Sequence, residues 1–141
     1  MIDISDKETV RREAVAEGVL ILKSTTIAAI RDKKIKKGDV EEASRIAGIL
    51  GAKMTSQIIP HCHPIPLESV QTKFELEKEG IRVTCSIKAH YKTGVEMEAL
   101  SCVNLMLLTI WDMTKYLEKD ENGQYLTTKI SDIRVIRKNK G

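Results

Sequence analysis

The chain has 141 residues, is 42% hydrophobic and 30% charged, and carries a net charge of +3. That length can bury about two-thirds of the surface exposed by the unfolded chain, so a single domain over residues 1–141 needs no disulfide or metal to fold. No apolar run approaches the roughly 20 residues of a membrane span, and the modest charge does not mark a nucleic-acid binder.

The N-terminus, "MIDISDKETVRRE", is charged and lacks the apolar centre of a signal peptide, which points to a cytoplasmic location. Residues 12–23, "REAVAEGVLILK", favour a strand with a bulge at Gly18. "STTIAAIRDKK" follows as a short helix capped by Ser24. Asp39 then caps a second helix whose first turn carries Glu41 and Glu42, and Pro60 ends it. Small residues Ala43, Ala47, Gly48, Gly51 and Ala52 allow a neighbour to approach that helix closely.

Two alternating strands come next. Val70, Thr72, Phe74 and Leu76 share one parity, and Ile81, Val83, Cys85, Ile87, Ala89 and Tyr91 share another. "EKEG" joins them as a hairpin turn, with Gly80 expected at positive φ. A helix from about Val95 to Lys119 carries an apolar stripe through Leu100, Val103, Leu107, Ile110, Trp111 and Leu117. "DENGQ" turns the chain into a last strand, "ISDIRVIRK". The order predicts an α+β, ferredoxin-like β-α-β-β-α-β antiparallel sheet with helices on one face, plus an extra short helix. Cys62, Cys85 and Cys102 form no CxxC, so no disulfide framework is indicated, and Cys85 and Cys102 read as buried core thiols.

Four clusters offer chemistry. Lys33, Lys34, Lys36 and Lys37 precede a helix start, as a solvated loop or a phosphate contact. His61-Cys62-His63, stiffened by Pro60, Pro64 and Pro66, is a structural loop, a substrate-contacting loop or half of a metal site. No further metal ligand is nearby, since His90 lies in a strand. Glu96 and Glu98 stand at a helix start, where carboxylates favour the dipole. They do not share a helical face, so one should point into packed structure or a pocket. Asp112 and Lys115 are neighbours on a helix surface, as an ordinary ion pair or, given the apolar run before them, a partly buried pair for proton transfer. Glu98 and Asp112 are 14 residues apart, roughly 21 Å along one unbroken helix. One pocket does not easily hold both from one chain, which favours sites shared between subunits of a symmetric oligomer.

"KKGDV", "SRIAG", "PHCHP", "TGVEMEAL" and "DMTK", in this order, resemble the molybdenum cofactor biosynthesis protein C (MoaC) family over nearly the whole chain. The resemblance implies a ferredoxin-like homohexamer, a trimer of dimers with active sites between subunits. It also implies a lyase activity, cyclic pyranopterin monophosphate synthase, converting 3',8-cyclo-7,8-dihydro-GTP to cyclic pyranopterin monophosphate and pyrophosphate. Mapped onto this sequence, it implies Asp112, Lys115 and Lys37 as catalytic. The substrate would be bound by His61, Cys62, His63, Glu96, Met97 and Glu98, with Lys7, Arg12 and Lys138 near its phosphates or base. Glu98 is the expected acceptor for the N–H donors of the guanine edge. No tightly bound cofactor or metal is implied, although Mg²⁺ could accompany the triphosphate. His61 departs from the family pattern, which places an apolar residue there. The rival reading is a non-catalytic ferredoxin-like module binding nucleotide or RNA, but neither alternating strand carries exposed aromatics for base stacking.

Overall fold

A computed structural model describes residues 1–141. In chain order the elements are β1 (Val10–Ile21), α1 (Ser24–Arg31), α2 (Val40–Lys53), α3 (Thr55–Ile58), β2 (Ser69–Leu76), β3 (Gly80–Tyr91), α4 (Glu96–Glu118) and β4 (Lys129–Lys140). The four strands form one antiparallel sheet in the order β2-β3-β1-β4, the ferredoxin-like arrangement that the element order predicts. The register of β1 against β4 shifts between Glu17 and Val19, so Gly18 sits at a bulge as expected.

The core lies between the sheet and α4. Ala14, Ala16 and Leu20 of β1 and Ile81, Val83, Cys85, Ile87 and Ala89 of β3 supply the sheet side. Ala99, Val103, Met106, Leu107 and Ile110 supply the helix side. A Cβ on Gly18 would lie 2.9 Å from both Val103 and Leu107, so its missing side chain lets α4 settle onto β1. The small face of α2 does the same against α4: a Cβ on Gly48 would lie 2.6 Å from Met106, and one on Gly51 3.0 Å from Leu105. With that face buried, Ile46 and Leu50 of α2 and Met54 just after it are left exposed.

Four local expectations need correction. Gly80 is not at positive φ but begins β3, where any Cβ would run into the Leu20 carbonyl of β1. The helix after Asp39 does not run to Pro60; it stops at Lys53 and resumes as α3, where the Thr55 hydroxyl donates to the Gly51 and Ala52 carbonyls at 3.0 and 2.9 Å. Cys85 and Cys102 are not free thiols: a disulfide ties β3 to α4, with Cα atoms 6.2 Å apart.

Ser24 is the first residue of α1 rather than its cap. Glu118, at the far end of α4, takes that place instead. Its carboxylate accepts from the Lys23 backbone N–H at 3.1 Å, from the Thr26 hydroxyl and from the Thr128 hydroxyl at 2.5 Å. A carboxylate at a helix N-terminus also meets the positive end of the helix dipole.

Candidate active site

The residues singled out in the sequence gather into two clusters near opposite ends of α4. At its N-terminal end is a cavity of about 380 Å³ lined by Lys7, His61, Cys62, His63, Glu96, Met97 and Glu98, among others. β3 delivers the chain to Gly94, and α4 then starts without a side-chain cap, which places Glu96 and Glu98 in its first turn. The loop after α3 brings the His-Cys-His segment to the opposite wall.

The two glutamates sit in different surroundings. Glu98 is 3% exposed. Burial pushes its carboxyl up, its own backbone N–H opposes, and the Glu96 charge adds to the rise. Burial pushes Glu96 up as well, but the Lys138 ammonium, 2.7 Å away on β4, and the charge of Arg12 outweigh it and hold Glu96 below the ordinary range. Lys138 and Arg12 therefore adjoin the cavity through Glu96. Arg12 donates to the Lys92 carbonyl at 3.3 Å, and its Nε is the buried side-chain donor left without a partner. Cys62 is half-buried, and burial, with the Glu98 charge, pushes its thiol up, so it is no ready nucleophile.

The rise at Glu98 has a consequence for stability. As pH climbs past the ordinary value of 4.5, the unfolded chain releases this proton before the native state does, so the native state loses stability relative to it. Glu98→Gln is expected to melt at a higher temperature than the parent at pH 7, with the gap closing below about pH 4. Thermal melts at the two pH values check this, and equal melting at pH 7 would contradict it.

The second cluster sits near the C-terminal end of α4. Lys37 Nζ and Lys115 Nζ each lie 3.0 Å from one oxygen of the Asp112 carboxylate. The loop before α2 is docked onto α4 by Tyr116, whose hydroxyl accepts from the Lys36 backbone N–H at 3.0 Å and whose ring lies 5.2 Å from Lys36 Nζ. Gly38, at φ 113°, then lets the chain turn so that Lys37 reaches α4 while Asp39 caps α2 through the Glu42 N–H at 3.0 Å.

This pair is not buried as its apolar context predicts: the side chains of Asp112 and Lys115 are 55% and 43% exposed. α4 is apolar on several faces here, and Asp112 lies on the one that meets solvent. Hydrogen bonds from Lys37 and then Lys115 hold the Asp112 carboxyl below its usual range, and the bond to Asp112 raises Lys115. The cluster therefore presents two charged ammonium groups on one ionised carboxylate. It is 14 residues from Glu98 on one unbroken helix, roughly 21 Å.

Sequence reasoning missed two groups. The N-terminal segment lines the cavity through Ile2, Asp3 and Ile4 and is tied to the loop, where His63 Nε2 meets the Ile2 carbonyl at 2.8 Å and His61 Nδ1 meets the Met1 amino group at 3.1 Å. No local pattern signals this long-range contact. Tyr116 had a readable signal, since it stands four residues after Asp112 and so shares its helix face. His90 does not join the other histidines; it pairs with Glu68 at 2.6 Å on the surface.

A family model described as "MoaC family" matches residues 1–141. A protein of Sulfurisphaera tokodaii is 56% identical over 99% of this chain and 93% of its own length. One of Saccharolobus solfataricus is 56% identical over 99% and 94%, and one of Archaeoglobus fulgidus is 55% identical over 100% and 90%. Each of these three relatives is named a probable cyclic pyranopterin monophosphate synthase.

Proposed function

The chain belongs to the MoaC family, and on that premise we propose that it is a cyclic pyranopterin monophosphate synthase, a lyase of molybdenum cofactor biosynthesis. The proposed reaction converts 3',8-cyclo-7,8-dihydro-GTP to cyclic pyranopterin monophosphate and releases pyrophosphate. The observation that carries this reading is the Lys37–Asp112–Lys115 cluster: two exposed ammonium groups held on one carboxylate suit a substrate that brings several phosphate charges.

Forming the cyclic phosphate requires a sugar hydroxyl to attack the α-phosphorus while pyrophosphate leaves. Positioning and charge neutralisation are the protein's main contributions to that step. Lys37 and Lys115 supply the charge. Lys115, kept protonated by Asp112, also serves as a proton donor, and Asp112 is the residue that aims both lysines. The rearranging base occupies the cavity between the His-Cys-His loop and the start of α4, against His61, Cys62, His63, Met97 and Glu98. Lys7, Arg12 and Lys138 add positive charge at its margin, and the unpartnered Arg12 Nε fits an anion. Any Mg²⁺ the reaction uses would accompany the triphosphate.

In this reading the two clusters act together because different copies supply them, in a homohexamer built as a trimer of dimers. The separation along α4 supports shared sites, and the exposed Ile46, Leu50 and Met54 offer apolar surface for assembly. The enzyme would work in the cytoplasm, and no helix is long and apolar enough to cross a membrane.

Incubating the purified protein with the cyclised GTP, followed by assay of pterin product and pyrophosphate, tests the activity. Both products are expected in equal amounts, and their absence would overturn the reading. Light scattering tests the assembly, and a strict monomer would end the shared-site account.

A further inference from the structure

Glu96 and Glu98 line the same cavity two residues apart, yet only Glu96 has a cation to hold it ionised. Glu98 is buried with no ion-pair partner. The titratable groups that share its cavity are Asp3 and Lys7 from the N-terminal segment, His61, Cys62 and His63 from the loop, and Glu96 from its own helix. Lys138 and Arg12 direct their charge at Glu96, and the nearby Glu96 carboxylate disfavours a second negative charge. Two carboxyl groups whose surroundings drive them apart in this way suit different roles, one as a proton donor and one as a standing charge.

We propose that Glu98 is a proton donor of the reaction, a buried carboxyl without an ion-pair partner that faces the substrate cavity. When the C–N bond at the ring carbon held between two nitrogens breaks, its electron pair stays on the departing nitrogen, which takes the proton that Glu98 releases, while the lone pair of the second nitrogen closes a C=N bond to that carbon. Glu98 becomes a carboxylate, and solvent returns its proton before the next turnover. Glu96 stays ionised throughout and keeps Lys138 beside the cavity. A neutral carboxyl thus offers a donor where the sequence reading expects an acceptor. This inference deepens the proposed synthase activity and rests on it.

Glu98→Gln keeps the shape and a hydrogen-bonding end but has no proton to give. Its kcat is expected to fall at least about 100-fold with KM within about twofold, because general acid catalysis of this kind contributes that much. Glu96→Gln is expected to raise KM instead, since it releases Lys138. A Glu98→Gln enzyme with kcat near that of the parent would overturn the proposal.

A second readout needs no substrate. The infrared carboxylic-acid band present in the parent and lost in Glu98→Gln should titrate with a midpoint above 4.5, the ordinary glutamate value. A midpoint at or below it in an active enzyme overturns the donor role alone. A parent protein that does not turn over the cyclised GTP overturns the synthase reading and the donor role with it.

Discussion

Lys115→Ala is expected to give a folded protein that converts the cyclised GTP at least about 100-fold more slowly than the parent. Two effects combine in that loss. One ammonium group disappears from the Lys37–Asp112–Lys115 cluster, and with it the donor that Asp112 keeps protonated. Stability should barely move, because the side chain is 43% exposed and its ion pair with Asp112 lies on the surface. Such pairs contribute about 0–1 kcal/mol. Steady-state kinetics and a thermal melt on the same preparation check both halves. Turnover within tenfold of the parent would remove Lys115 from the reaction.

The largest expected effect on stability is far from any substrate. Glu118→Ala removes the carboxylate that accepts from Thr26, Thr128 and the Lys23 backbone N–H. Thr26 is fully buried and Thr128 nearly so, so water cannot easily replace the lost acceptor. Each buried donor left unpaired costs about 1–3 kcal/mol, which makes a total of about 3 kcal/mol or more. A domain of this size should then melt about 10 °C lower. Glu118→Gln should recover part of the loss, because one oxygen still accepts while the amide group meets a donor with a donor. Melting of the alanine variant within about 2 °C of the parent would show that the α1–α4 junction does not depend on this carboxylate.

Features carried by local pattern were legible in the sequence. The alternation of Val70, Thr72 and Phe74, and of Ile81, Val83 and Cys85, marks two strands that pair side by side. Asp39 before an acidic first turn is a cap, and it makes the bond that a cap should make. The start of α4 places Glu96 and Glu98 where the pattern implies, with one of them pointing inward.

What the sequence hid depends on contacts between distant segments. Cys85 and Cys102 meet because β3 and α4 pack together, and nothing in their spacing announces it. Gly80 is needed for an approach by β1, from the other side of the sheet centre, and not for its own turn. The apolar run before Asp112 reads as burial, yet Leu108 within it is itself exposed, so apolar content there does not mean a buried face. The N-terminal segment reaches the His-Cys-His loop from some 60 residues away. Its short, charged sequence carries no sign of where it will lie.

The most direct test of shared sites combines two variants that are each expected to be inactive, Lys115→Ala and Glu98→Ala. They alter clusters roughly 21 Å apart on one helix. If each site takes one cluster from one copy and the other cluster from a neighbour, co-assembling the two variants in equal amounts rebuilds intact sites. Random mixing makes about one site in four complete, so about a quarter of the parent turnover should return. If instead each copy carries its own complete site, every site keeps one defect, and the mixture will be as inactive as either variant alone.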